Sequence, residues 1–230
     1  MQANLVTNAH LYGLDERMLV TCDPRGDLAS RPPNRLHKQA ALAFQHMQTA
    51  AAQAGIQLHI ASGFRSFAQQ KHIWERKFHH ASRKSMSASE KVTDILRWSA
   101  LPGTSRHHWG TDFDAYDSAA IERTALTLEP WEYEQNGPCY TLYLWLEEHA
   151  ASFGFYRPYD IDRGGVAPEP WHWSYAPLAE NYLNAYDTDQ LCAILARVEL
   201  PGLQQMQEEF DTYVRKYVQQ YVMNVASATI

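Results

Sequence analysis

The chain has 230 residues, 45% of them hydrophobic and 20% charged, enough for one sizeable folded domain and too apolar for a disordered one. Its formal net charge of -6 argues against a nucleic-acid partner, although basic residues gather between Arg76 and Lys84. Cys22, Cys139 and Cys192 are few, scattered and odd in number, so they read as ordinary thiols and not as a disulfide framework or a thiolate metal site.

The first twenty residues lack a basic stretch followed by an apolar run, and no segment reaches the roughly 18 apolar residues of a membrane span. The expectation is a soluble protein without a transmembrane segment. It is cytoplasmic if its N-terminus is native, and periplasmic or in the cell envelope if a leader was removed. Residues 1–35 read as short strands and turns punctuated by Pro24, Gly26, Pro32 and Pro33. Leu36, Ala40, Phe44, Met47, Ala51 and Ala54 recur at three and four, which predicts a helix over 36–54 with Gly55 as its stop. Ile56, Leu58 and Ile60 alternate with Gln57 and His59, which predicts a strand with His59 turned to solvent. Ser66 and Gln69 form a capping-box pattern for a helix running to about residue 78.

A Ser-rich loop (81–89) and a helix over about 89–98 follow, and Pro102-Gly103 then breaks the chain. Residues 111–116, 155–156 and 169–175 read as strands, and 141–153 as a helix with Leu142, Trp145, Leu146, His149 and Phe153 on one side. After Pro177 come helices over about 178–186, 189–198 and 202–226, the second capped by Thr188 or Asp189. Phe210, Tyr213, Tyr217 and Tyr221 form a packing face in the third, with a partner surface as the alternative.

Two segments hold the chemistry: Ser105-Arg106-His107-His108-Trp109-Gly110-Thr111-Asp112-Phe113-Asp114 and Glu169-Pro170-Trp171-His172-Trp173. They supply two imidazoles, a carboxylate and a spare carboxylate. A catalytic zinc takes three nitrogen or oxygen ligands and keeps one open position. It acidifies a water and polarises a carbonyl, while a spare carboxylate moves the proton. Gly110 permits a turn that lets Asp114 project back towards the ion bound by His107. Glu169 and His172, three apart, would face opposite ways on a regular strand, so both can face one ion only through a local bend, and Pro170 argues against a central strand there. Asp112 reads as an acidic partner of a ligand histidine or as an outward strand residue, and His108 as a neighbour of the site. His79 and His80 read as a solvated face.

These segments resemble the signatures of the VanY and VanX type D-Ala-D-Ala peptidases, a zinc family that includes LD-carboxypeptidases and resembles the hedgehog N-terminal domain in fold. Ser105, His107, Gly110 and Asp114 match SxHxxGxxxD; Glu169, Trp171 and His172 match ExWH. Ser62-Gly63-Phe64-Arg65-Ser66 matches an SGYRS-like element with Phe for Tyr, and Gln70 falls where many members carry a substrate-contacting glutamine. The resemblance runs from about residue 36 to 175. It implies that His107, Asp114 and His172 bind Zn2+ and that Glu169 is the general base. It also implies that Arg65 steadies the oxyanion or the substrate carboxylate and that Ser105 and Gln70 touch peptide groups. Trp171 reads as a pocket wall or as core. Asp112 departs from the family, where many members have Ala, and the helices after Pro177 are not explained by it.

The predicted fold is α+β: a small antiparallel sheet with flanking helices and a zinc cleft, plus a C-terminal helical extension. Residues 1–175 form the peptidase domain, 1–35 being its irregular N-terminal segment, and 176–230 pack on it. The expected function is zinc-dependent hydrolysis near the carboxyl end of D-amino-acid-containing peptides or muropeptides, with a D-Ala-D-Ala carboxypeptidase foremost. The alternatives are an LD-carboxypeptidase, a D,D-dipeptidase or a non-catalytic zinc-containing module that binds cell-wall peptides. The oligomeric state is left open.

Overall fold

The computed structural model describes residues 8–24, 33–96, 99–203 and 210–228. Gly26, Pro32, the last two residues of the helix expected over 89–98, and positions 204–209 of the last expected helix lie outside them. Alternating residues build a four-stranded antiparallel sheet from β3 (Leu58–Ser62), β4 (Asp112–Asp117), β5 (Phe155–Tyr156) and β6 (His172–Tyr175), in the order β3-β4-β6-β5. A separate antiparallel ribbon pairs β1 (Leu19–Thr21) with β2 (Arg35–His37). The α+β class with small antiparallel sheets is as expected.

One core lies between α1 (Lys38–Gln53), α4 (Tyr140–His149) and the sheet, where Phe44, Met47 and Leu146 meet Ile60, Phe113 and Trp173. Each such large side chain contributes roughly 1.5–3 kcal/mol through burial. Leu36 belongs to β2 and not to the helix. The helix starts one residue after His37, whose ring nitrogen accepts from Gln39 N–H, and this leaves Ala54 exposed at the other end. A second core joins α2 (Phe67–Phe78) and α3 (Ala88–Leu96) to α5 (Ala176–Asn184), α6 (Thr188–Leu195) and α7 (Phe210–Tyr217) through Trp74, Ile95, Leu191, Val214 and Tyr217. Phe210, Tyr213 and Tyr221 pack against it.

The capping box of Ser66 and Gln69 is present. The cap of α6 is Asp187, one residue before the expected pair, because its carboxylate reaches the N–H groups of Asp189 and Gln190. His59 is not in solvent. It is buried and meets Asp23 at 2.6 Å, whose carboxylate also accepts from Ile60 N–H and Gln48. On the side of β3 away from the aliphatic core, His59 is therefore covered by Asp23, which lies just after β1. All three cysteines are free and buried. Among the described residues, no helix is long and apolar enough to cross a membrane.

Candidate metal centre and active site

Three strands set one row of the site. Ser62 on β3, Asp114 on β4 and His172 on β6 are direct neighbours across the sheet, and the adjacent row pairs Asp112 with Ser174. The two-residue period puts Asp112, Asp114, His172 and Ser174 on the face away from Phe113 and Trp173. A bulge between Ile60 and Ser62 turns β3 into the loop of residues 63–66. His107 comes from the 3-10 turn Arg106–Trp109, which ends at Gly110 with φ 68. A Cβ at Gly110 would lie 2.5 Å from the Leu19 side chain and 3.0 Å from the His37 nitrogen, so the turn requires glycine.

His107, Asp114 and His172 each bring one ligand atom to within 4.8 Å of the others. The second nitrogen of each histidine is anchored. His107 Nδ1 donates to the Gly63 carbonyl at 2.9 Å, and His172 Nε2 donates to Asp112 at 3.0 Å. His107 Nε2 and His172 Nδ1 therefore face Asp114, at 3.4 Å and 3.2 Å. Two oriented imidazoles and one carboxylate are a donor set that suits a catalytic zinc. Burial holds the His107 imidazole below its ordinary value. At His172 burial is outweighed by the Asp112 and Asp114 carboxylates, which raise its imidazole to about 10. At Asp114 burial is outweighed by the two imidazoles, which keep the carboxyl well below the usual range.

Glu169 lies outside β6, which begins only at His172. Proline at 170 has no N–H for a ladder, and the chain turns there, with His172 N–H donating to the Glu169 carbonyl at 3.2 Å. That turn supplies the local bend the spacing requires, and it brings the Glu169 carboxylate to 3.4 Å from His172 Nδ1. Burial pushes the Glu169 carboxyl up to about 7 against the pull of His172; Asp114 adds to the rise and Arg65 opposes it. Its side chain keeps 27% exposure, so it stays reachable from solvent.

Arg65 follows β3. Its backbone is clamped to the histidine turn by bonds to His107 and His108. Its guanidinium donates to Gln70 at 2.9 Å and to Ser62 at 3.2 Å. Gln70 does not meet the expectation of substrate contact. It is fully buried, and its amide nitrogen donates to the Ala100 carbonyl at 2.7 Å and to Ser99, so both ends of the amide are engaged behind Arg65. Ser105 is buried at the start of the histidine turn, and its hydroxyl does not cap it. Trp171 is half-buried, its ring 5.6 Å from that of Tyr133. His108 has both nitrogens in use, donating to the Arg65 carbonyl and accepting from Gly103 N–H, and burial pushes its imidazole down to about 3.

Three residues at the site escaped the sequence reading. Arg106 and Ser174 form a buried polar cluster with Asp112, and the Tyr159 ring lies 4.9 Å from that of His172. Arg106 carried no signal in the sequence beyond its place beside His107. No signal in the sequence pointed to Tyr159.

The family model for VanY, D-alanyl-D-alanine carboxypeptidase, matches residues 33–178, more than half of the chain. The chain belongs to that family. Over 134 residues it is 30% identical to a D-alanyl-D-alanine carboxypeptidase of Enterococcus faecalis, a match covering 57% of this chain and 44% of that protein. An uncharacterized protein of Haemophilus influenzae is 43% identical over 83 residues, 35% of this chain and 63% of its own length. Each of these matches spans less than two thirds of the relative. The fold is similar to that of the LD-carboxypeptidase LdcB, with a TM-score of 0.53 and 19% identity over 89% of this chain and 78% of that one.

Proposed function

We propose that this VanY-family chain is a zinc-dependent peptidase. It would act near the carboxyl end of D-amino-acid-containing, peptidoglycan-type peptides, with a terminal D-Ala-D-Ala as the preferred substrate. The observation that carries this reading is the convergence of His107, Asp114 and His172 within 4.8 Å, with Glu169 3.4 Å from His172. The family match and the named activity of the Enterococcus relative support the substrate class.

Zinc, when bound by the triad, supplies Lewis acidity to a carbonyl and a water. Glu169 takes a proton from the attacking water and hands it to the leaving amine, a task that suits a carboxyl titrating near neutrality. Arg65, held from behind by Gln70 and Ser62, offers its planar fork to the substrate carboxylate or the developing oxyanion. Ser105 contacts peptide groups, and Trp171 with Tyr133 walls the pocket. The C-terminal helices belong to the same unit in this reading, which the core that α5, α6 and α7 share with α2 supports.

The test is zinc content together with cleavage of a pentapeptide ending in D-Ala-D-Ala, a tetrapeptide and the free dipeptide, each with and without chelator. One zinc per chain and chelator-sensitive release of terminal D-Ala are expected. Cleavage of the tetrapeptide alone, or of the dipeptide alone, replaces the substrate with that of an LD-carboxypeptidase or a D,D-dipeptidase. Tight binding of cell-wall peptides with no cleavage over hours makes the protein a binding module, and absence of metal undoes the centre itself.

A further inference from the structure

β4 places two carboxylates on the same face of the sheet, and only Asp114 belongs to the metal triad. Asp112 and Arg106 are both fully buried. Asp112 Oδ2 accepts from Arg106 Nε at 2.8 Å and from His172 Nε2 at 3.0 Å. Its Oδ1 accepts from Ser174 at 2.8 Å and from Thr111 at 2.5 Å. The guanidinium also donates to Ser174 at 2.7 Å and to Tyr156 at 3.1 Å, and it lies 4.4 Å from the Trp109 ring. The cluster ends on a metal-ligand candidate.

Stability is a weak reason to keep such a pair. Removing two charges from water costs about as much as their attraction returns, and apolar residues of similar volume often serve as well. Orientation is the stronger reason. An imidazole can carry its proton on either nitrogen, and only the form with the proton on Nε2 leaves the Nδ1 lone pair of His172 facing Asp114 and His107. We propose that Arg106 and Asp112 are a positioning pair for His172: Asp112 fixes its tautomer and ring plane, and Arg106 with Ser174 fixes Asp112. The proposal rests on the reading of His107, Asp114 and His172 as the metal centre.

The experiment compares zinc affinity, by competition with a chromophoric chelator, and melting of the metal-free protein in four proteins beside the parent. These are Asp112→Ala, the double variant Arg106→Met/Asp112→Ala, Ser174→Ala and His172→Ala. Asp112→Ala leaves a lone buried cation and melts well below the parent. The double variant removes both charges, so its metal-free form melts within about 5 °C of the parent. Its zinc affinity nevertheless falls about 10- to 100-fold, the scale seen when a ligand's outer partner is lost. Ser174→Ala keeps the charges paired and weakens zinc about three- to tenfold.

A folded double variant that binds zinc as tightly as the parent overturns the proposal and leaves the pair a structural feature. If the double variant does not fold, Ser174→Ala decides by the same comparison, and unchanged zinc affinity there overturns it. His172→Ala separates the two levels. Parent-like zinc binding in His172→Ala defeats the metal-centre reading itself. Loss of zinc there, with full affinity in the double variant or Ser174→Ala, defeats only the positioning role.

Discussion

The candidate site has two parts, a metal wall and a loop wall, and they are held by different means. The metal wall belongs to the sheet: Asp114 and His172 are ladder neighbours, and the His107 turn is tied to the loop that leaves β3. The loop wall comprises Arg65, which follows β3, and Glu169 and Trp171, which precede β6, with Glu169 3.4 Å from His172. Ladders fix strand residues through the backbone. Arg65 and Glu169 are held by isolated backbone bonds outside a ladder, and the Arg65 guanidinium is held in addition by Gln70. Under the proposed function, metal affinity and turnover are therefore expected to respond to different substitutions.

The largest expected effect separates the walls directly. His172→Ala strips the metal and all activity with it. Glu169→Ala keeps one zinc per chain and loses on the order of 10²–10⁴ in kcat, the usual scale for a general base. Metal analysis beside kinetics checks both, and loss of zinc in Glu169→Ala would end the division of labour. Next in size is Gln70→Ala, which leaves Arg65 without its buried acceptor. A drop of about tenfold in kcat/KM is expected, as for one hydrogen bond to a charged group, with zinc affinity unchanged. Equal losses of zinc affinity and turnover would show that the two walls are not independent.

A pH test probes what supports the metal wall. His37 N–H donates to the Gly110 carbonyl at 2.7 Å, so the β1–β2 ribbon braces the histidine turn. Burial, with Lys38 and His10 nearby, holds the His37 imidazole below its ordinary value. The unfolded chain thus takes up a proton that the folded chain refuses. Stability is full above the unfolded value of about 6.5 and declines as pH falls below it, by at most about 1.4 kcal/mol per pH unit for one proton. His37→Asn keeps a side-chain acceptor for Gln39 N–H and removes the titration. Urea denaturation at about pH 7.5 and about pH 5.5 should show a shallower decline in that variant, and equal declines would reject the assignment.

What was legible in the sequence was what short-range rules dictate. The three-and-four spacing of Phe44, Met47 and Ala51 marked α1, and Ser66 with Gln69 marked the start of α2. The triad was legible through the resemblance, because the SxHxxGxxxD and ExWH segments single out His107, Asp114 and His172, whose ligand atoms the fold brings within 4.8 Å of one another. Illegible were contacts that the chain makes with distant parts of itself. Alternation put His59 off the aliphatic core, yet nothing local said that Asp23 would fold over it. Gln70 had the right type to touch a peptide, but the carbonyl of Ala100, thirty residues on, takes its amide. Spacing demanded a bend between Glu169 and His172; its form as a turn ahead of β6 was visible only in the backbone. The aromatic spacing along residues 210–221 predicted a packing face without naming the partner, which is the core around Trp74 and Leu191.

The smallest expected effect concerns the loop wall and its support from the C-terminal segment. Between β5 and β6 the chain runs past Tyr159 and Arg163 to Glu169. Asn224 donates to the Arg163 carbonyl at 2.7 Å, Gln220 donates to the Gly164 carbonyl at 2.5 Å, and Ala226 N–H donates to the Pro158 carbonyl at 2.9 Å. A Cβ on Gly165 would sit 2.2 Å from the Gln220 carbonyl oxygen, so the two backbones touch. Asn224→Ala removes one clasp and leaves the others, at a cost of about 0.5–1.5 kcal/mol locally. Hydrogen exchange over residues 157–169 should quicken, and kcat/KM should fall only two- to fivefold, roughly the kinetic equivalent of that energy. Zinc affinity should not change, because no ligand lies on this loop. If exchange quickens while turnover stays at the parent level, the clasp steadies the loop without setting the position of Glu169, and the loop wall is held at the Pro170 turn alone.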